Sequence, residues 1–597
     1  MAGTNRRTVP LYTMTSRFIA AALLLGLLNA CATAPQSPAP AETSAASTPA
    51  STQKEEEPGP PERAFPDDSL YSLLVAEFAI RRQSYDIALE QYTELAPELR
   101  DIGISAHTAR LGQYMQRQRE ALEAARLWVE LAPDDVEANS TLATLLVRQG
   151  RAAEALPYMA AVQREGVEAR FPTVLSGFAS LSEDEKAQLV DGINALSEEF
   201  PDNTQVLLAQ ALLHMELQQY DLALDKLDHL LRLSPNEQPA MVMEAEILLN
   251  QQARKPFARI EKTLRKDPQN TTLRLRYARM LTAVDLDAAR EQFEILSTQT
   301  PEDADLLFSL GLINREVGDY AEASAYLQDV IKLDKRVGEA YYYLGRIEED
   351  RDQPLDGIPY YQAIPDGREF LPANNRIAEI LVEKGQLDRL ADIFAEQRVR
   401  YPDLSGSLYG LQADALNSGG YQEQALALMD TALAEAPQDS GLLYARAMIL
   451  EKTGDLGSME RDLRAILSRE PDNSTALNAL GYTLANRTER YDEALDLITR
   501  ALQLEPNEPA ILDSMGWILY RVGRNDEAIE YLTRAYANFP DPEVAAHLGE
   551  VLWVTGQNES AIAIWQGAYM LDPEHPVLTE TLERLGIDLP APASNDK

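Results

Sequence analysis

The chain has 597 residues, 45% apolar and 25% charged, which is ordinary usage for a folding polypeptide. Its formal charge is −41, from 95 acidic and 54 basic residues, and this argues against nucleic acid or anionic lipid as a partner of its surface. It contains a single cysteine, so no intrachain disulfide can form and packing alone must stabilise the fold.

Residues 18–28, FIAAALLLGLL, are an apolar run preceded by Arg17, with Arg6 and Arg7 upstream. A bilayer-spanning helix needs about 20 apolar residues, so the run is too short to cross and reads as a secretory signal. Met1 and Met14 are both possible starts. The segment ends Leu28-Asn29-Ala30-Cys31, which resembles a bacterial lipobox. The resemblance implies cleavage after residue 30 and lipid on Cys31, a thiol being the acceptor of the diacylglyceryl group. Ala32 follows where a retention signal would place Asp, so the same resemblance implies an outer-membrane anchor facing the periplasm. Each buried methylene adds roughly 0.8 kcal/mol, so several acyl chains hold such a protein firmly.

Residues 31–64 form the expected tether. After Cys31 it has seven prolines and no aromatic, Leu, Ile or Val residue, so it cannot bury enough apolar surface to order itself. Residues 588–597 are expected to be a disordered tail.

From residue 65 the chain repeats. AILDSMGWILYRVGRNDEAIEYLTRAYANFP (510–540) aligns with EVAAHLGEVLWVTGQNESAIAIWQGAYMLDP (543–573). Gly516, Gly523, Ala528 and Pro540 of the first stand where Gly549, Gly556, Ala561 and Pro573 stand in the second. Small residues fit where two helix backbones approach, the second glycine can end the first helix, and the proline stops the second. The Ala-to-Pro interval recurs at Ala121 and Pro133, Ala223 and Pro235, Ala289 and Pro301, Ala425 and Pro437, and Ala494 and Pro506. Residues 306–334 keep Gly311, Gly318 and Ala323. The pattern resembles the tetratricopeptide repeat, two antiparallel helices in about 34 residues. The resemblance implies an all-α, right-handed solenoid of about fifteen helix pairs over 65–573, closed by a capping helix at 574–587. Residues 171–201 and 236–268 are expected to keep helix pairs while losing the small residues, with Pro256 at one Ala position.

No catalytic constellation emerges. The five histidines are scattered; His547 lies three before Glu550 but has no second histidine at helical spacing for zinc. There is no phosphate loop, dinucleotide fingerprint or nucleophile elbow. The chain reads as a non-enzyme with no cofactor beyond the lipid on Cys31, no metal and no small-molecule substrate.

In resembling repeats, fixed first-helix positions face a concave groove. Counted from Gly481, Gly516 and Gly549, these positions include Tyr482, Asn486, Asp513, Trp517, Tyr520, Arg521, Glu550 and Trp553. The same rule points Tyr342 and Arg346 inward. Clustered Trp, Tyr and Arg mark protein-binding surfaces, although the rings could equally pack against neighbouring units. Trp128 and Trp565 fall at packing positions.

Lipobox, tether and repeats together resemble the LbcA-type outer-membrane lipoproteins, adaptors of a periplasmic carboxyl-terminal-processing protease. That resemblance is most specific in residues 477–573. It implies a scaffold that binds the protease and presents substrates such as peptidoglycan cross-link hydrolases. The alternative is an assembly scaffold for pilus, secretion or polysaccharide export machinery.

Overall fold

The computed structural model describes residues 69–589. The signal sequence, Cys31, the tether and residues 590–597 of the tail lie outside the described residues. The described chain is all-α and falls into two compact units, one ending at Thr300 and one beginning at Pro301.

The first unit runs α1 (Ser69–Arg81), α2 (Tyr85–Leu99), α3 (Ile102–Tyr114), α4 (Gln118–Leu131), α5 (Val136–Arg148), α6 (Ala152–Arg164), α7 (Glu183–Glu199), α8 (Thr204–Glu216), α9 (Tyr220–Leu233), α10 (Gln238–Asn250), α11 (Ala258–Lys266), α12 (Thr271–Leu281) and α13 (Leu286–Gln299). The second runs α14 (Ala304–Glu316), α15 (Tyr320–Lys332), α16 (Val337–Asp350), α17 (Pro354–Gln362), α18 (Phe370–Glu383), α19 (Leu387–Arg400), α20 (Ser405–Ser418), α21 (Gln422–Glu435), α22 (Ser440–Thr453), α23 (Leu456–Arg469), α24 (Ser474–Arg487), α25 (Tyr491–Leu504), α26 (Pro509–Arg521), α27 (Asn525–Asn538), α28 (Pro542–Val554), α29 (Asn558–Leu571) and α30 (Pro576–Leu585).

Local chemistry sets the helix boundaries. First helices begin after an acceptor side chain that caps their free N–H groups: Asp101, Asp135, Asn203, Asp303, Asp439 and Asn473 each accept from a first-turn amide. Proline opens α26, α28 and α30, where its missing N–H costs nothing. Between the helices of most pairs, one residue turns left-handed and the next amide reaches back five residues. Gly523 has φ +83°, and Arg524 N donates to Leu519 O at 2.8 Å.

The repeat's small residues lie where backbones crowd. A Cβ on Gly516 would come within 2.5 Å of Leu532, and one on Gly549 within 2.2 Å of Trp565. Ala528, Ala561 and Trp565 are fully buried opposite them. First helices of successive pairs also pack on one another, α24 on α26, α26 on α28, and α28 on α30.

One expectation fails. Residues 171–201 do not keep a helix pair: two short 3-10 segments, Phe171–Leu175 and Phe178–Ser180, precede α7. Pro172, and Gly177 at φ +81°, break the helical run. Phe171, Val174, Leu175 and Phe178 stay buried and fill the place of the missing first helix. Residues 236–268 do keep a pair, but α11 starts only at Ala258, after Pro256, and is nine residues long.

A cleft floored by a buried polar network

Four successive first helices, α22, α24, α26 and α28, and the capping helix α30 line a cleft of 1330 Å³ in the second unit. Tyr482, Asn486, Asp513, Trp517, Tyr520, Arg521 and Glu550 all line it. Trp553 stands apart from that lining: it is half-buried and packs on Trp565, ring centroids 5.9 Å apart. It sits four residues beyond the pivot Gly549, where the neighbouring second helix takes up its ring. Trp128 is buried in α4 and Trp565 in α29.

Tyr342 and Arg346 lie half-buried on α16. The Tyr342 ring packs on Tyr343 and Tyr361, at 5.8 and 5.7 Å. Tyr361 OH donates to Glu349, which also accepts from Arg376. Burial opposes the charge on Glu349, but Arg376 and Tyr361 outweigh it and hold its carboxyl below the usual range.

The cleft floor is a polar network centred on His547. Its ring is wholly enclosed, with Nδ1 3.0 Å from both oxygens of Asp513 and Nε2 3.4 Å from Tyr482 OH. Trp517 stacks on the imidazole, centroids 4.2 Å apart and planes 26° from parallel. Burial disfavours the charged ring, yet the Asp513 carboxylate, with Glu543 and Glu550 on its own helix, raises its pKa above the usual value. Tyr482 OH donates to Glu543 at 2.8 Å, bridging from α24 to α28 past the whole intervening pair. Burial and the Glu543 and Asp513 carboxylates push its phenol far up, so it stays a neutral donor.

A second knot closes the end. Glu550, 3% exposed, accepts from Tyr520 OH at 3.1 Å and from both terminal nitrogens of Arg584 at 3.0 and 2.5 Å. Arg521 turns outward from this knot and donates to Tyr491 OH on α25 at 2.7 Å. Two polar atoms on the cleft's lining residues are buried without a partner, Trp517 Nε1 and Asn478 Oδ1.

Counting from the pivot glycines missed His547, Glu543 and Arg584. His547 stands two before Gly549, between the positions counted as inward. The spacing Glu543, His547, Glu550 was the available signal, since residues four and three apart share one helix face. Arg584 lies on the capping helix, which the repeat register does not reach. The arrangement is a hydrogen-bonded, carboxylate-rich floor, and among its described residues none is set up as an activated nucleophile. Among the described residues no group of three or more His, Cys, Asp or Glu is placed to hold a metal ion, and no helix is long and apolar enough to cross a membrane.

Comparison with known proteins places the chain. Tetratricopeptide-repeat models match residues 281–323, 315–372, 472–541 and 514–576. The chain is 37% identical to the TPR repeat-containing protein PA4667 of Pseudomonas aeruginosa over 487 residues, which is 81% of this chain and 82% of that one. It is 26% identical to cellulose synthase operon protein C of Pseudomonas fluorescens over 68% of this chain, but spans only 31% of that relative. Among solved structures, it is similar to the Cut9–Hcn1 hetero-tetramer of the APC/C at 13% identity and a TM-score of 0.31, over 87% of this chain and 96% of that one. Repeats of this kind generally bind partner proteins, and their fold needs no cofactor. The helix pairs, their close-packed small residues and the extended likeness to the Pseudomonas aeruginosa protein together show that this chain belongs to the tetratricopeptide-repeat proteins.

Proposed function

We propose that the protein is a non-catalytic adaptor, tied to the periplasmic face of the outer membrane by lipid on Cys31. It binds a carboxyl-terminal-processing protease and brings that protease its substrates, peptidoglycan cross-link hydrolases among them. The observation that carries the adaptor reading is the cleft, where side chains of successive first helices converge on one concave surface. The lipobox at Leu28–Cys31 and the proline-rich stretch before residue 65 support the anchor and tether. The resemblance to LbcA-type lipoproteins supplies the class of partner. A tethered scaffold raises the local concentration of whatever it holds near the wall.

Lipidated full-length protein, used as bait in a periplasmic extract, is expected to retain a serine protease of the processing class and wall hydrolases. Recovery of secretion or pilus components alone overturns this reading. Cys31→Ser is expected to abolish palmitate labelling and release the protein from membranes; continued labelling overturns the anchor. The likeness to a cellulose synthase operon protein favours a second reading, a scaffold for polysaccharide export. Co-purification with export components in place of the protease would select it.

A further inference from the structure

We infer that the cleft lined by α22, α24, α26, α28 and α30 receives an extended polypeptide segment bearing Lys or Arg side chains. This rests on the adaptor reading and gives the chemistry of what the cleft takes.

The first argument is charge. Eight carboxylates line the cleft against four Lys or Arg side chains. Most of those cations are already engaged: Arg584 on Glu550, Arg487 on Glu451 at 3.1 Å, and Arg521 on the Tyr491 hydroxyl. Glu508, preceding α26, and Glu580, on α30, are exposed on different walls of the cleft. Among the described residues neither has a cation within 4.0 Å. Two carboxylates left without an ion pair on separate elements of the lining suit an incoming cation and repel phosphate or anionic lipid.

The second argument is shape and apolar surface. The volume of 1330 Å³ exceeds the roughly 300–1,000 Å³ of an ordinary small-molecule pocket and fits a length of chain. Phe539, 58% exposed, and half-buried Tyr444 are both on the lining and offer apolar contact for the methylene stems of Lys or Arg. The third argument is hydrogen bonding. Trp517, 7% exposed, leaves its indole N–H unpartnered, and Asn478 leaves an amide oxygen. Both atoms are covered by protein, so a backbone carbonyl and amide pair with them only as the lining opens around the segment.

The test uses the full chain and a fluorescein-labelled probe of about twelve residues, alternating Lys and Ser around a central Phe, read by anisotropy. A matched probe carries Glu in place of Lys. The Lys probe is expected to bind and the Glu probe to fail. Glu508→Gln with Glu580→Gln is expected to weaken the Lys probe at least about fivefold. Glu165→Gln with Glu198→Gln, exposed acids of the first unit that are not on the cleft lining, is expected to leave binding within about twofold. Equal loss in both variants, no loss in the cleft variant, or equal binding of the Glu probe overturns the inference. Protease capture is read separately. A wild-type chain that binds the Lys probe and captures no protease sinks the adaptor reading while leaving the cleft's chemistry standing.

Discussion

The two units solve the same turn with different residues. In the second unit the left-handed residue between paired helices is mostly glycine, at Gly318, Gly385, Gly420, Gly454, Gly523 and Gly556, with Asp352 the exception between α16 and α17. In the first it is glutamine at Gln83, Gln116, Gln218 and Gln252, with φ between 55° and 60°, and glycine at Gly150 between α5 and α6. The closing hydrogen bonds are alike: Ser84 N to Ala79 O at 2.9 Å in the first unit, Arg524 N to Leu519 O at 2.8 Å in the second. The backbone path is therefore dictated by the packing of the helices, and the side chain at the turn only adjusts its energy. The units differ in what they build on that path. The first drops a first helix at 171–180 and fills the gap with apolar side chains; the second assembles a polar floor across three repeats and a cap.

The largest expected effect tests whether the units respond separately. Trp565 is fully buried, its indole lying over the Gly549 position. Trp565→Ala opens a cavity and is expected to cost about 3–5 kcal/mol. Because a repeat's packing is mostly with its neighbours, hydrogen exchange should rise in α28–α30 and stay unchanged in the first unit. A matching rise in α1–α6 would break the comparison.

How much of this was legible follows from the same contrast. Where Gly, Gly, Ala and Pro keep their spacing, as at 516–540 and 549–573, helix positions and close contacts follow from side-chain size alone. The loss of the first helix at 171–180 carried its own signals, Pro172 and Gly177, but the repeat register suggested a helix over them. The cleft-facing positions were counted from one helix at a time, which reached Trp517 and Glu550. The His547 network needed three helices at once: Tyr482, Asp513 and His547 are far apart in sequence and meet only when α24, α26 and α28 stack. Ring packing was undecidable for a similar reason, since Trp553 joins Trp565 while Trp517 joins His547.

The next effect sharpens what the polar floor contributes. Asp513→Asn removes the charge facing a fully enclosed ring and is expected to cost about 2 kcal/mol below pH 6.5. In the native chain the His547 pKa lies above its unfolded value near 6.5, so the protonated ring stabilises the fold. That stabilisation is complete below about pH 6.5 and disappears as pH rises through the higher folded value. Asp513 across the groove, Glu543 and Glu550 on the same helix, Tyr482 OH and the Trp517 face surround the ring. Hydrogen exchange across α26–α28 should therefore quicken from pH 6 to pH 9 beyond the intrinsic rate in the native chain. In Asp513→Asn that extra pH dependence should vanish; its persistence would assign it elsewhere.

The smallest effect exchanges the turns themselves. Gln83, Gln116, Gln218 and Gln252 are exposed, so replacing them touches no core contact. A left-handed conformation costs a side-chain-bearing residue roughly 1–2 kcal/mol, and glycine escapes this while giving the unfolded chain more freedom. Each Gln→Gly is therefore expected to stabilise its own pair by a net of about 0.5 kcal/mol. The reverse exchange, Gly523→Gln or Gly556→Gln, leaves the Cβ in open space, with nothing within 4 Å, so only the backbone term remains. It should cost about as much as the forward exchange gains, read as opposite shifts in the denaturant midpoint of the unit that carries the change. Should Gln→Gly destabilise the first unit, the amide side chains would be holding those turns by contacts of their own, and the shared backbone path would have two separate causes.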